Sequence, residues 1–125
     1  GTQLNRSVIA DGCIINAKQI DTSVIGIRSR IGKGSEIKNT YMIGANQYQD
    51  KEVVLSEDSS QIPIGVGDNC VVENVIIDKD ARIGNNVVIK GGTHLEDRNE
   101  DSFAVKEGIV VIKRDAEISD GFVLQ

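Results

Sequence analysis

Aliphatic residues recur in this sequence at a spacing that neither a helix nor a plain strand can use. They stand six apart at Ile25, Ile31, Ile37 and Ile43, again at Ile77, Ile83 and Ile89, and once more at Ile112, Ile118 and Leu124. Ile9 to Ile15 and Val66 to Val72 are further six-residue steps, and five-residue steps join Ile15 to Ile20 to Ile25 and Val72 to Ile77. A helix repeats its buried face about every 3.6 residues and a strand about every 2, so this chain turns a corner once per unit.

The other slots of the unit show how it turns. Three positions after the aliphatic residue stand Gly12, Gly34, Asn69, Asp80, Asn86, Asp115 and Gly121. These are the residue types that accept a left-handed backbone at low cost. Arg28 and Thr40 depart from that preference at their own corners. One position after the aliphatic residue come Gly26, Gly32, Gly44, Gly67 and Gly84, and four positions after it come Cys13, Ser29, Ser35, Cys70, Ala81, Val87 and Ala116, mostly small. The unit is a short strand, a tight corner with one left-handed residue, and a small side chain packed inward beside it.

Three such units close a triangular coil of about 18 residues, and coils stack about 4.8 Å apart. The predicted fold is therefore all-β, a parallel β-helix forming a single domain over residues 1–125. The expected register puts Ile25 over Ile43 and Gly26 over Gly44. Composition agrees, because aromatics are only 3% of the chain and Trp is absent, so Ile and Val must fill the core. Residues 45–62 and 90–108 fall outside the repeat and hold nine of the 19 acidic residues, so they read as loop excursions leaving the prism.

Several chemistries are disfavoured. A net charge of −5 with no basic block argues against nucleic acid or an anionic membrane as partner, and no apolar run is long enough to span a bilayer. One His and two separated cysteines assemble no Cys/His zinc site within a single copy, so no metal is expected. Cys13 and Cys70 share the inward slot and read as small apolar fillers. Gly26 to Gly34 fails the spacing of a phosphate loop, and Gly65-Val66-Gly67 lacks the third glycine of a dinucleotide fingerprint. His94, in the second excursion, is the single candidate general base. Lys113 and Lys90 follow Ile112 and Ile89 at corners, where outward cations can take a phosphorylated ligand.

Longer strings carry a resemblance. Ser23 to Ile31 (SVIGIRSRI), Pro63 to Asn69 (PIGVGDN), Ile76 to Gly84 (IIDKDARIG) and Gly108 to Lys113 followed by Asp115-Ala116 resemble the C-terminal β-helix domain of ADP-glucose pyrophosphorylase, glucose-1-phosphate adenylyltransferase. Met42 to Tyr48 (MIGANQY) is similar to that family's MGADYY run, departing at Asn46 and Gln47. The likeness extends over roughly residues 7–124. It implies a left-handed coil, where the usual crossover rule favours a right-handed one.

The resemblance also implies a non-catalytic regulatory and oligomerisation domain. No catalytic residue and no cofactor are then expected in this chain. The nucleotidyltransferase domain, with its Mg²⁺ and ATP, is expected upstream, where it makes ADP-glucose and pyrophosphate from ATP and glucose 1-phosphate for glycogen or starch. Implied partners are that catalytic domain, further subunits of a tetramer, and a phosphorylated sugar or glycolytic metabolite as effector. Lys113 matches an activator-binding lysine of the family, and Lys90 is a possible substitute for a second one. The implied location is cytoplasmic, or plastidic in a plant. Two alternatives stay open: a stand-alone hexapeptide-repeat acyltransferase using His94, and the tail of a related sugar nucleotidyltransferase.

Overall fold

A computed structural model describes residues 1–46 and 61–125. Most of the first excursion, with Asp50, Glu52, Glu57 and Asp58, lies outside the described residues, as do Gln47 and Tyr48 of the MIGANQY string. Every regular element described is a strand, and no helix among them is long and apolar enough to cross a membrane.

The strands form three sheets, one per face of a triangular prism. The first face stacks β1 (Gln3–Asn5), β4 (Gln19–Asp21), β7 (Glu36–Lys38), β10 (Val71–Glu73), β13 (Val88–Lys90) and β18 (Val123–Leu124). The second stacks β2 (Val8–Ile9), β5 (Val24–Ile25), β8 (Tyr41–Met42), β11 (Val75–Ile77) and β16 (Ile109–Ile112), and continues into β15 (Phe103–Lys106) and β14 (Arg98–Asn99). The third stacks β3 (Ile14–Ile15), β6 (Arg30–Ile31), β9 (Gly65–Val66), β12 (Arg82–Ile83) and β17 (Glu117–Ile118). Pairing between coils is parallel throughout, as the repeat predicts. Ile20, Ile25, Ile31, Ile37, Val66, Val72, Ile83, Ile89 and Ile112 point inward and are fully buried.

The corners follow the sequence closely. All seven residues expected in the left-handed region have positive φ: Gly12, Gly34, Asn69, Asp80, Asn86, Asp115 and Gly121. Arg28 takes the same conformation at φ 55° despite its side chain, so the corner geometry overrides residue preference there. Thr40 does not take it. At its corner the left-handed residue is Asn39, at φ 47°.

That difference exposes a second corner type and corrects the coil length. Between the first and second faces the left-handed residue comes two positions after the inward one: Arg6 after Leu4, Thr22 after Ile20, Asn39 after Ile37, and Asn74 after Val72. The corner is one residue shorter, so a regular coil is two six-residue sides and one five-residue side. Val24 pairs with Tyr41 and Val71 with Val88, both 17 positions apart, not 18; the first coil is shorter still, with Val8 paired to Val24. The partner of Ile25 is therefore Met42, not Ile43, and Gly26 packs against Ile43 rather than over Gly44. A six-residue step carried through a short corner lands one residue late, and in a strand that slip reverses the facing. Met42 is buried and Ile43 is exposed.

The second excursion is also not a loop throughout. β15 and β16 form an antiparallel hairpin, with Lys106 opposite Ile109 across the two-residue turn Glu107-Gly108, both at positive φ. β14 adds a further antiparallel strand. The hairpin buries Phe103 and Val105 at the C-terminal end of the prism, where Phe103 meets Phe122 edge to face at 5.6 Å. Both phenylalanine rings of the chain therefore sit at this one end of the stack.

The short corner carries a buried hydroxyl ladder. Ser7, Ser23 and Thr40 each donate to the carbonyl two residues back, and the Ser7 and Ser23 hydroxyls accept the N–H of Ser23 and Thr40 from the next coil at 3.1 Å. Ser23→Ala leaves the Thr40 N–H buried without a partner. It is expected to destabilise the fold by about 1–3 kcal/mol, while Thr40→Ser, which keeps its hydroxyl, changes the thermal midpoint far less; calorimetry on the two variants checks this.

Candidate functional site

Lys113 follows β16 at the corner between the second and third faces and is half-buried. Its backbone N–H donates to Ser102 O at 3.0 Å, which ties the corner to the excursion. Its Nζ donates to Asn99 Oδ1 at 2.6 Å and to the Glu100 carbonyl. Both acceptors are neutral. The neighbouring guanidinium groups differ in this respect. Arg98 donates from Nε and Nη2 to Glu100 Oε1 at 3.1 and 2.9 Å, and Arg114 lies 3.8 Å from the Asp115 carboxylate. Lys113 is thus a positioned ammonium whose hydrogen bonds satisfy its geometry without neutralising its charge, which is the arrangement that favours an anionic ligand.

Lys90 is placed elsewhere. It ends β13 at the corner between the first and second faces, so the second face separates it from Lys113. Its cross-strand neighbour is Glu73, which follows Lys38 and Asp21 in a ladder of alternating charge down the first face. At the bottom of that ladder the Thr22 hydroxyl, and then Arg6 and Lys38, hold the Asp21 carboxyl below its usual range against the opposing effect of burial. Lys90 belongs to a balanced ladder; Lys113 does not.

His94 is exposed and lines an open cleft of about 480 Å³ with Leu95, Glu96, Asp97 and Arg98. Cys70 is fully buried, donates to Gly84 O at 3.1 Å, and is a structural filler as its slot implies; burial pushes its thiol up. Cys13 is partly buried and donates to Gly26 O at 3.2 Å. Among the described residues no cluster of three or more His, Cys, Asp or Glu is disposed to hold a metal ion.

The second face has a property that the repeat alone does not reveal. Its outward positions Val8, Val24, Tyr41, Ile76, Val111 and Ala104 pair in sequence up the prism and are all apolar or aromatic. Tyr41 is 51% exposed. The cleft of about 310 Å³ beside them is walled by Val24, Tyr41, Ile76 and Ile109, with Thr22, Asn39 and Asn74 along its rim. The first face is mixed by contrast: one outward ladder runs Gln19, Glu36, Val71, Val88 and Val123, and the other Asp21, Lys38, Glu73 and Lys90.

Sequence reasoning singled out Lys113 as a candidate but missed the residues that hold it. Arg98, Asn99 and Glu100 were hidden in a segment read as loop. The available signal was Glu107-Gly108 flanked by Phe103, Val105, Val110 and Ile112, an alternating pattern around an X-Gly turn.

The pattern of the family described as "GLGC left-handed parallel beta-helix domain" matches residues 1–123. The glucose-1-phosphate adenylyltransferase large subunit 1, chloroplastic/amyloplastic, of Zea mays is 38% identical over 134 aligned residues, covering 98% of this chain and 25% of that relative. The chain therefore spans about a quarter of the length of the curated relative it matches. The family description also supplies the hand of the coil, which is left.

Burial of Cys70 predicts that a thiol reagent modifies it only on global unfolding, well after Cys13. Its folded pKa lies above the unfolded value, so its contribution to stability is intact below about pH 8.5 and declines above it as the unfolded chain ionises first. Labelling rates with mass mapping, and urea midpoints across that range for the native chain and Cys70→Ala, check both statements.

Proposed function

The chain belongs to the family of GLGC left-handed parallel β-helix domains, and from that membership we propose that it is a non-catalytic regulatory and oligomerisation module of a glucose-1-phosphate adenylyltransferase. In this reading a nucleotidyltransferase domain elsewhere in the longer protein converts ATP and glucose 1-phosphate to ADP-glucose and pyrophosphate, using Mg²⁺ with ATP. The β-helix binds a phosphorylated sugar or glycolytic metabolite as effector and helps to assemble the subunits. The observation that carries the effector role is Lys113: a corner lysine whose ammonium is oriented by Asn99 and the Glu100 carbonyl, with no carboxylate on it among the described residues.

The apolar second face supports the assembly role. A sheet face whose outward ladder is Val8, Val24, Tyr41, Ile76 and Val111 exposes far more continuous hydrophobic surface than scattered surface aliphatics do. Covering it removes that surface from water, whether the partner is the module's own catalytic domain or a further subunit of a tetramer. Lys90 is a secondary effector residue at most, since Glu73 stands beside it.

The 125-residue chain supplied with ATP, Mg²⁺ and glucose 1-phosphate is expected to form no pyrophosphate, and turnover by it alone would overturn the proposal. Joined to its nucleotidyltransferase domain, Lys113→Ala is expected to raise the half-activating concentration of a phosphorylated effector about tenfold or more, since a charge-assisted hydrogen bond is lost. Lys90→Ala moves it much less. Activation unchanged by Lys113→Ala removes the effector role from this corner.

A further inference from the structure

We propose that Glu100 is a built-in competitor for the anion at Lys113, and that Arg98 is the second cation of that site, released when Glu100 leaves. This rests on reading Lys113 as an anion-binding residue. One residue, Glu100, touches both cations: its carbonyl accepts from Lys113 Nζ, and its carboxylate accepts from Arg98 Nε and Nη2. Glu100 is the acidic group that a phosphate would have to replace.

The surrounding structure lets the turn release without moving the cations far. The Arg98 guanidinium lies 5.1 Å from the Phe103 ring, and Phe103 is buried against Phe122. A cation over a ring has a seat that does not depend on Glu100. Lys113 is fixed through its backbone to Ser102 and through β16 to the prism. The turn itself is held lightly. The Glu100 N–H donates to Phe103 O at 2.8 Å, and β14 is two residues long with a neighbour on one side only. The Arg98–Glu100 pair is about half exposed, at 48% and 46%.

A phosphate offers this site what Glu100 does not. It brings a full charge to Lys113 in place of two neutral oxygens, and a forked acceptor to Arg98 in place of one carboxylate oxygen. The ligand class is accordingly a phosphomonoester, bound between Lys113 and Arg98. Glu100 sets a threshold, weakening every such ligand by the stability of its own contact with Arg98.

The experiment titrates inorganic phosphate into the 125-residue chain, followed by ¹H–¹⁵N NMR of the Arg98 Nε–H and the backbone amides of residues 99–102. Glu100→Gln is expected to bind phosphate about 2- to 5-fold more tightly than the native chain, the range set by an exposed ion pair. In that variant the Arg98 Nε–H shifts on binding, Arg98→Gln added to it removes the gain, and Lys113→Ala abolishes binding. Asp101→Asn removes an equal charge next door that no cation among the described residues contacts, and stays near the native affinity. Equal affinity in Glu100→Gln and the native chain, with Lys113→Ala still weakening both, overturns the competitor and leaves the Lys113 site standing. An Asp101→Asn gain as large as that of Glu100→Gln also overturns it, as a general charge effect. No saturable, Lys113-dependent binding in either the native chain or Glu100→Gln overturns both readings.

Discussion

Every strand among the described residues is two to four residues long, and coil-to-coil backbone hydrogen bonds hold the prism together. Ala10 donates to Ile25, Gly26 to Met42, Gly67 to Ile83 and Gly84 to Ile118, all at 2.7–2.9 Å. Keeping those bonds while bending every fifth or sixth residue forces a positive φ into nearly every corner. It also brings backbones of adjacent coils into direct contact there. A Cβ on Gly26 would lie 2.1 Å from Ile43 O, and one on Gly67 would lie 2.4 Å from Gly84 O. The glycines and the Asn and Asp corners are the covalent requirement of this stacking, and the isoleucine ladder is what stacking then buries.

A stack of coils has ends, and the two ends here are managed differently. At the C-terminal end the second excursion folds back as a hairpin, covers the last coil with Phe103 and Val105, and supplies the ring contact to Phe122. The same hairpin carries the turn that holds Lys113. One segment therefore both closes the core and aims the cation, which in the proposed role joins capping to ligand binding. At the other end Leu4, in the inward slot below Ile20, remains 53% exposed, because no coil lies below it.

The faces divide the remaining roles by chemistry. The first face balances acids against bases in one vertical ladder, Asp21, Lys38, Glu73 and Lys90, beside a ladder that turns from Gln and Glu to Val. The second face is apolar from β2 to β16, turns polar at Asn99 and Lys106 on the hairpin end, and is flanked by Lys90 on one edge and Lys113 on the other. In the proposed role a partner covering that face meets the Lys113 corner at its border, so an anion bound there also lies beside the contact.

The sequence by itself determined the all-β coil, its three sides, its inward Ile and Val, and every left-handed corner read from Gly, Asn or Asp three positions after an aliphatic residue. These are local demands, since a corner selects residues that tolerate positive φ whatever the rest of the chain does. The tertiary structure decided what depends on neighbours in the stack. It set the 17-residue coil and put Met42 rather than Ile43 in the core, because strands must align across coils and the short corner at Asn39 shifts the register by one residue. It kept Arg28 left-handed against its preference for the same reason. The hand of the coil came from family membership, not from the repeat, as both hands bury the same ladder. The site divides in the same way: Lys113 was visible as a corner cation, but its Nζ is held by two neutral acceptors only because the fold returns Asn99 and Glu100, 14 and 13 residues upstream, to it through space.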